Sequence, residues 1–186
     1  MKSLRKISKL TCGLVISFLF FLTTESKAQV INMSAKDLTA KSTAVLYGKC
    51  SKVKCEWNDK KDKIYTYVTV VPEAYIKGNL GSEVTITVPG GQVGDILYEV
   101  SDMPFFVEGE ETVAFVWKNP AGKNLITGGS QGKMKIEKDS KTGKRMVTGA
   151  NLEEPETGVQ TPGQIKKAEK MQLEDFVTKV KGYMKN

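Results

Sequence analysis

Cys50 and Cys55 are the two thiols that follow an N-terminal apolar run, and no histidine occurs anywhere in the chain. The missing imidazole removes Ser/His and Cys/His nucleophile activation, the commonest general base near neutral pH, and every His-ligated zinc site. Two thiols are too few for a thiolate zinc centre, so they are left as an intramolecular bridge, as free thiols, or as a link to a partner. Five residues of extended strand span ~16 Å, whereas a disulfide needs Cα atoms within ~7 Å. A Cys50–Cys55 bridge therefore requires a sharp bend between Ser51 and Lys54. Glu108, Glu110 and Glu111 are the carboxylates spaced for general acid/base work, yet they flank Gly109 at a turn into a strand, where charge is ordinary. Gly90-Gly91 and Gly128-Gly129 lack the Lys-Ser/Thr of a phosphate loop and read as turns or bulges. The expectation is a protein without catalytic residues, metal or cofactor.

The elements that carry these residues are mostly strands. Ser34 with Asp37 is a capping-box-like start, placing a short helix over 35–42. A strand follows from Ala44 to about Trp57, then a polar loop from Asn58 to Lys63, then a long strand from Ile64 to Ile76 in which Pro72 marks a bend or bulge. Gly78-Asn79-Leu80-Gly81 turns the chain into an alternating strand with Val84, Ile86 and Val88 inward. Residues 89–111 form an irregular excursion with Ile96, Leu97, Tyr98, Met103, Phe105 and Phe106, an apolar density that needs cover over a barrel end or an open edge. Thr112 to Trp117 is the next strand, with Val113, Phe115 and Trp117 on its core face. Leu125 to Thr127 follows, then a hairpin of Lys133–Lys138 with Arg145–Thr148. Residues 150–160 read as a linker. Thr161-Pro162 starts a C-terminal amphipathic helix over 161–186, whose stripe of Leu173, Phe176, Val177, Val180 and Met184 docks on the domain.

The first 28 residues read as a secretory signal peptide. Lys2, Arg5, Lys6 and Lys9 precede an apolar run from Leu10 to Leu22, and Ser26-Lys27-Ala28 resembles a peptidase site. The run is shorter than a ~30 Å hydrocarbon core demands. It also follows Cys12, the reverse of the order a lipidated anchor needs, so no membrane anchor is expected once the signal leaves. The mature chain is expected to begin at Gln29 and to work in the periplasm or outside the cell.

Removing residues 1–28 takes away five basic residues and one acidic residue, so a net charge of +7 falls to +3. Most of the basicity belongs to the targeting segment, and no nucleic-acid partner is expected. From Gly81 to Trp117 there is no Lys or Arg but seven acids, while lysines gather at 49–63 and 133–145. Both basic stretches sit at hairpin tips, where they are either solvated charge or an attraction for an anionic polymer.

Several short motifs form a familiar series: Ala44 to Lys49, Tyr75 to Gly78, Val84 to Val88, and Phe106 through Gly109-Glu110-Glu111 into Val113-Ala114-Phe115. Over about Ser34 to Lys138 the chain resembles a group of exported bacterial proteins that are similar in turn to the netrin-like domains of tissue inhibitors of metalloproteinases. That resemblance implies an OB-like barrel. It does not imply their inhibitory chemistry, which chelates zinc through a cysteine at the mature N-terminus, because Gln29-Val30 stands there.

The fold class expected is mainly β, an OB-like five-stranded barrel over 29–149 with a short N-terminal helix and a C-terminal helix. The function expected is an exported binding module acting through another exported or envelope protein, inhibitor-like as a special case. Trp57, Tyr65 and Tyr67 are its candidate contacts. The alternative is an OB-like barrel that binds an oligosaccharide or another anionic polymer.

Overall fold

A computed structural model describes residues 32–149, 152 and 168–185, all within one compact unit over 32–186. The expected signal peptide and most of the expected linker lie outside the described residues.

Local chemistry starts the fold. Ser34 Oγ accepts the amide of Asp37 at 3.1 Å, and the Asp37 carboxylate accepts the amide of Ser34 at 3.1 Å. This reciprocal cap fixes α1, Ala35–Lys41. At its other end Lys77 Nζ donates to the carbonyl of Thr39 at 2.6 Å, satisfying one of the last free carbonyls. Strands follow: β1 Ala44–Trp57, β2 Ile64–Lys77, β3 Val84–Pro89, the short pair β4 Gly91–Val93 and β5 Ile96–Tyr98, then β6 Glu111–Lys118 and β7 Asn124–Ile126. A 3-10 turn at Gly129–Gly132 leads into β8 Lys133–Lys138, β9 Arg145–Gly149, β10 Glu169–Gln172 and the helix α2 Leu173–Tyr183.

The barrel closes in the order β1-β2-β3-β7-β6-β1. Its pairings are antiparallel except β3–β7, which is parallel at Ile86 and Asn124. This is the OB-like arrangement expected. One edge of β6 pairs with β1 from Val116↔Ala44 to Glu111↔Lys49. The other edge is shared, with β8 along 111–114 and β7 along 116–118. β9 and β10 extend the sheet from β8. The bend expected at Pro72 is a register shift where Gly48 faces Pro72. Only glycine fits there, since a Cβ on Gly48 would stand 2.2 Å from the Val71 carbonyl oxygen.

Two cores result. Leu46, Val68, Val70, Val84, Ile86, Val88, Ala114 and Val116 fill the barrel together with Cys50 and Phe106. Leu38, Val45, Val113, Phe115, Met134, Val147, Leu173, Phe176 and Val180 form a second layer between the sheet and the helices. Phe115 and Phe176 meet edge to face at 6.3 Å and 88°. The expectation of a single core face on β6 is thus corrected: 112–116 are buried on both faces, and Trp117 is only half-buried. A central strand with barrel on one side and helices on the other has no solvent face to read.

The C-terminal helix also needs correction. It begins at Leu173, not 161, because 169–172 form β10 on the edge of β9 and Met171 packs against the outer core. The Thr161-Pro162 cap lies outside the described residues. Leu173, Phe176 and Val180 dock as expected, while Met184 stays exposed beyond the helix.

Candidate functional site

Over the barrel mouth the chain builds a groove of about 560 Å³. Its floor is Val53 and Cys55 of β1 and Thr66 of β2. One wall is the end of β3 with Gly90 and Gly91, and the other runs from Leu97 to Phe106. The amide of Gly90 donates to the Ile64 carbonyl at 2.9 Å, and Thr66 Oγ1 donates to the Gly90 carbonyl at 2.7 Å. These bonds hold the chain where it reverses into β4. Gly91, at φ +138°, leaves the floor open: a Cβ there would stand 2.6 Å from Thr66 Oγ1 and 2.8 Å from Cys55 Sγ.

The lip of the groove is anchored from below. Phe106 turns into the barrel at 3% exposure, while Phe105 and Val107 on either side stay 80% and 50% exposed. Glu110 Oε1 accepts the amide of Val107 at 3.0 Å. Lys133 Nζ meets the same carboxylate at 2.8 and 2.9 Å and lies 5.2 Å over the Phe106 ring. Lys133 and Glu110 are 14% and 10% exposed, so this is a largely buried ion pair. A second anchor is Asp102, whose carboxylate accepts the Ser130 hydroxyl and whose carbonyl accepts the Ser130 amide at 2.8 Å.

Along the rim of the groove the same segment shows Ile96 at 53%, Leu97 at 60% and Tyr98 at 37% exposure. The cover expected for residues 89–111 is therefore only half supplied. Phe106 and Met103 pack on the barrel core, while Ile96, Leu97, Tyr98, Phe105 and Val107 face water. The apolar density was readable in sequence. Which member of the Phe105-Phe106 pair turns inward was not, because no regular period runs through this segment. Among the described residues, Glu99 is the one charged residue in the groove lining.

The residues singled out from sequence are dispersed. Cys50 and Cys55 are both free, with β1 running extended through 51–54 in place of the bend a bridge requires. Cys50 is buried. Desolvation raises its thiol pKa above the ordinary value, with the charge of Glu110 adding to the effect. Cys55 Sγ sits 3.3 Å from Thr66 Oγ1 at the groove floor. Trp57, Tyr65 and Tyr67 are all half-buried. Register places Tyr65 opposite Glu56 and Tyr67 opposite Lys54 on the outer face, while Trp57 shares the other face with Cys55, Ile64 and Thr66. Lys123 Nζ stands 5.5 Å over the Tyr65 ring. The three aromatics thus do not form one surface.

Glu110 is engaged by Lys133, Glu111 lies 3.8 Å from Arg145, and Glu108 is exposed. Of the basic stretches, Lys133 pairs with Glu110, Lys135 with Glu137 and Arg145 with Glu73. Lys49 and Ile136 both face Glu111, and from there β1 runs on to Trp57 but β8 only to Lys138. The β1–β2 tip therefore lies several residues further along its strand from Glu111 than the β8–β9 tip does. Among the described residues, no group of three or more His, Cys, Asp or Glu is placed to hold a metal, and no helix is long and apolar enough to cross a membrane. The sequence matches no protein-family model and no curated protein.

Proposed function

We propose that this chain is an exported, non-catalytic binding module that acts through protein–protein contacts in the periplasm or outside the cell. One observation carries the reading: Ile96, Leu97, Tyr98, Phe105 and Val107 are all exposed beside an open apolar groove. A soluble protein seldom leaves such a group uncovered unless something covers it in use. The partner is a protein whose surface is apolar with basic residues, complementary to a segment that holds no Lys or Arg between Gly81 and Trp117. The signal-like Lys2 to Ala28 supports export, with the mature chain starting at Gln29. An inhibitor-like role, suggested by the netrin-like resemblance, is a special case of the same reading.

The test is stoichiometric capture from native envelope or medium with the wild-type protein and with Phe105→Asp and Leu97→Asp. Both variants change exposed side chains and should keep the circular dichroism of the fold. A partner held by the wild type should be lost from both. A partner held equally by all three proteins refutes the reading.

A second reading rests on the outer face, where Tyr65 and Tyr67 stand beside Lys54 with Lys123 over Tyr65. In OB-like barrels a sheet face of this kind binds oligosaccharides and other polymers. Salt-sensitive binding of an anionic glycan, lost in Tyr65→Ala and Lys123→Ala, is its expected sign. Binding unchanged by both substitutions dismisses it.

A further inference from the structure

We infer that the groove takes an extended segment of the partner, apolar at its centre and basic at its ends, which adds as a strand to the free edge of β5. The inference deepens the proposed protein-binding role and rests on it. Three observations carry it. First, β5 pairs only with β4, as Val93↔Ile96, Gln92↔Leu97 and Gly91↔Tyr98, and among the described residues no other element sends a backbone hydrogen bond to 96–98. An unpaired edge presents amide and carbonyl groups that another extended chain can satisfy.

Second, this edge is apolar where most exposed edges are charged. Ile96 and Leu97 are more than half exposed, and the groove behind them is lined by Leu97, Tyr98, Met103 and Phe105. Alternate side chains of an added strand would therefore find apolar surface, while its backbone pairs with β5.

Third, the charge is placed at the ends. Asp95 precedes β5 and Glu99 follows it, both exposed, with no lysine or arginine within the surrounding segment. A strand laid along β5 meets a carboxylate at each end, which favours Lys or Arg flanking the apolar centre and disfavours acidic residues there. The same carboxylates repel an anionic bilayer, so a lipid surface fits this edge poorly.

The test uses blocked synthetic peptides on the purified protein at low salt. Lys-Val-Thr-Val-Lys should bind and slow the alkylation of Cys55, a thiol at the groove floor that peptide mapping separates from Cys12 and Cys50. Glu-Val-Thr-Val-Glu should bind about tenfold more weakly. N-methylation of alternate amides should abolish binding of the Lys peptide in one of the two registers, because it removes the donors the edge requires. Asp95→Lys with Glu99→Lys should reverse the preference between the two peptides. Equal binding of both peptides, indifference to N-methylation in either register, or an unchanged preference in the charge-reversed variant overturns the inference. If no peptide binds while Phe105→Asp still abolishes partner capture, the extended-segment inference falls and the protein-binding reading stands. If Phe105→Asp leaves capture intact, the reading itself falls.

Discussion

Replacing Lys133 by Met should destabilise the protein and loosen the lip of the groove through one carboxylate. Lys133 Nζ touches both oxygens of Glu110, at 2.8 and 2.9 Å, and the two side chains are 14% and 10% exposed. Breaking a buried pair by removing one partner costs about 3–5 kcal/mol, because the remaining charge is left without compensation. The residual exposure lets water reach Glu110, which points to the lower end, about 3 kcal/mol including the lost contact of the ammonium with the Phe106 ring. For a domain of this size that is a fall in Tm of about 6–12 °C. The stranded Glu110 carboxylate will turn toward solvent and release the amide of Val107, which it now accepts at 3.0 Å. Thermal denaturation should show the fall in Tm, and hydrogen exchange should be faster at Val107 while the barrel strands keep their protection. Adding Glu110→Gln should recover most of the loss, since a neutral amide can still accept from Val107 and leaves no buried charge. A double variant as unstable as Lys133→Met alone, or an unchanged exchange rate at Val107 in that variant, would refute the reasoning.

Phe176→Ala removes a fully buried ring from its contact with Phe115 and should cost about 3–5 kcal/mol in denaturant unfolding, a loss near zero showing that α2 does not dock there. Iodoacetamide should mark Cys55 in the native protein and spare Cys50, whose thiol is buried and held protonated, whereas both should react in urea. Equal native rates would contradict the placement of Cys50. The Ser34 hydrogen bond lowers the pKa of Asp37, and the Arg145 hydrogen bond lowers that of Glu73. Carboxylates with depressed folded-state pKa values contribute stability that is complete above their unfolded values and lost as pH falls through the folded ones. The urea midpoint should therefore drop between about pH 6 and about pH 3, and drop less in the Asp37→Asn, Glu73→Gln double variant, an equal drop in both proteins excluding these two groups as its source.

The local elements were largely legible because each carries its cause in neighbouring residues. The Ser34–Asp37 box sets the start of α1, and Val84-Thr85-Ile86-Thr87-Val88 alternates with the period of a half-buried strand. Asp139 closes the β8–β9 turn by accepting the amides of Lys141 and Thr142. Register and coverage were not legible in the same way. The alternation of β6 is hidden because both of its faces are buried. The helical pattern at the C-terminus reaches back over residues that instead pair with β9, where the open edge of another strand outweighs local preference.

The candidate site divides along the same line. Sequence by itself determined that no imidazole chemistry is available, that the 81–117 segment is acidic and apolar, and that a β-rich OB-like fold was to be expected. Tertiary structure alone decided that Tyr65 and Tyr67 part company from Trp57, that Cys50 and Cys55 stay apart, and that Phe105 faces water while Phe106 plugs the barrel. The physical reason is range. Caps, turns and alternation depend on residues a few positions apart, whereas the Ile86–Asn124 pairing, the Glu110–Lys133 pair and the mouth of the groove exist only once distant strands have met.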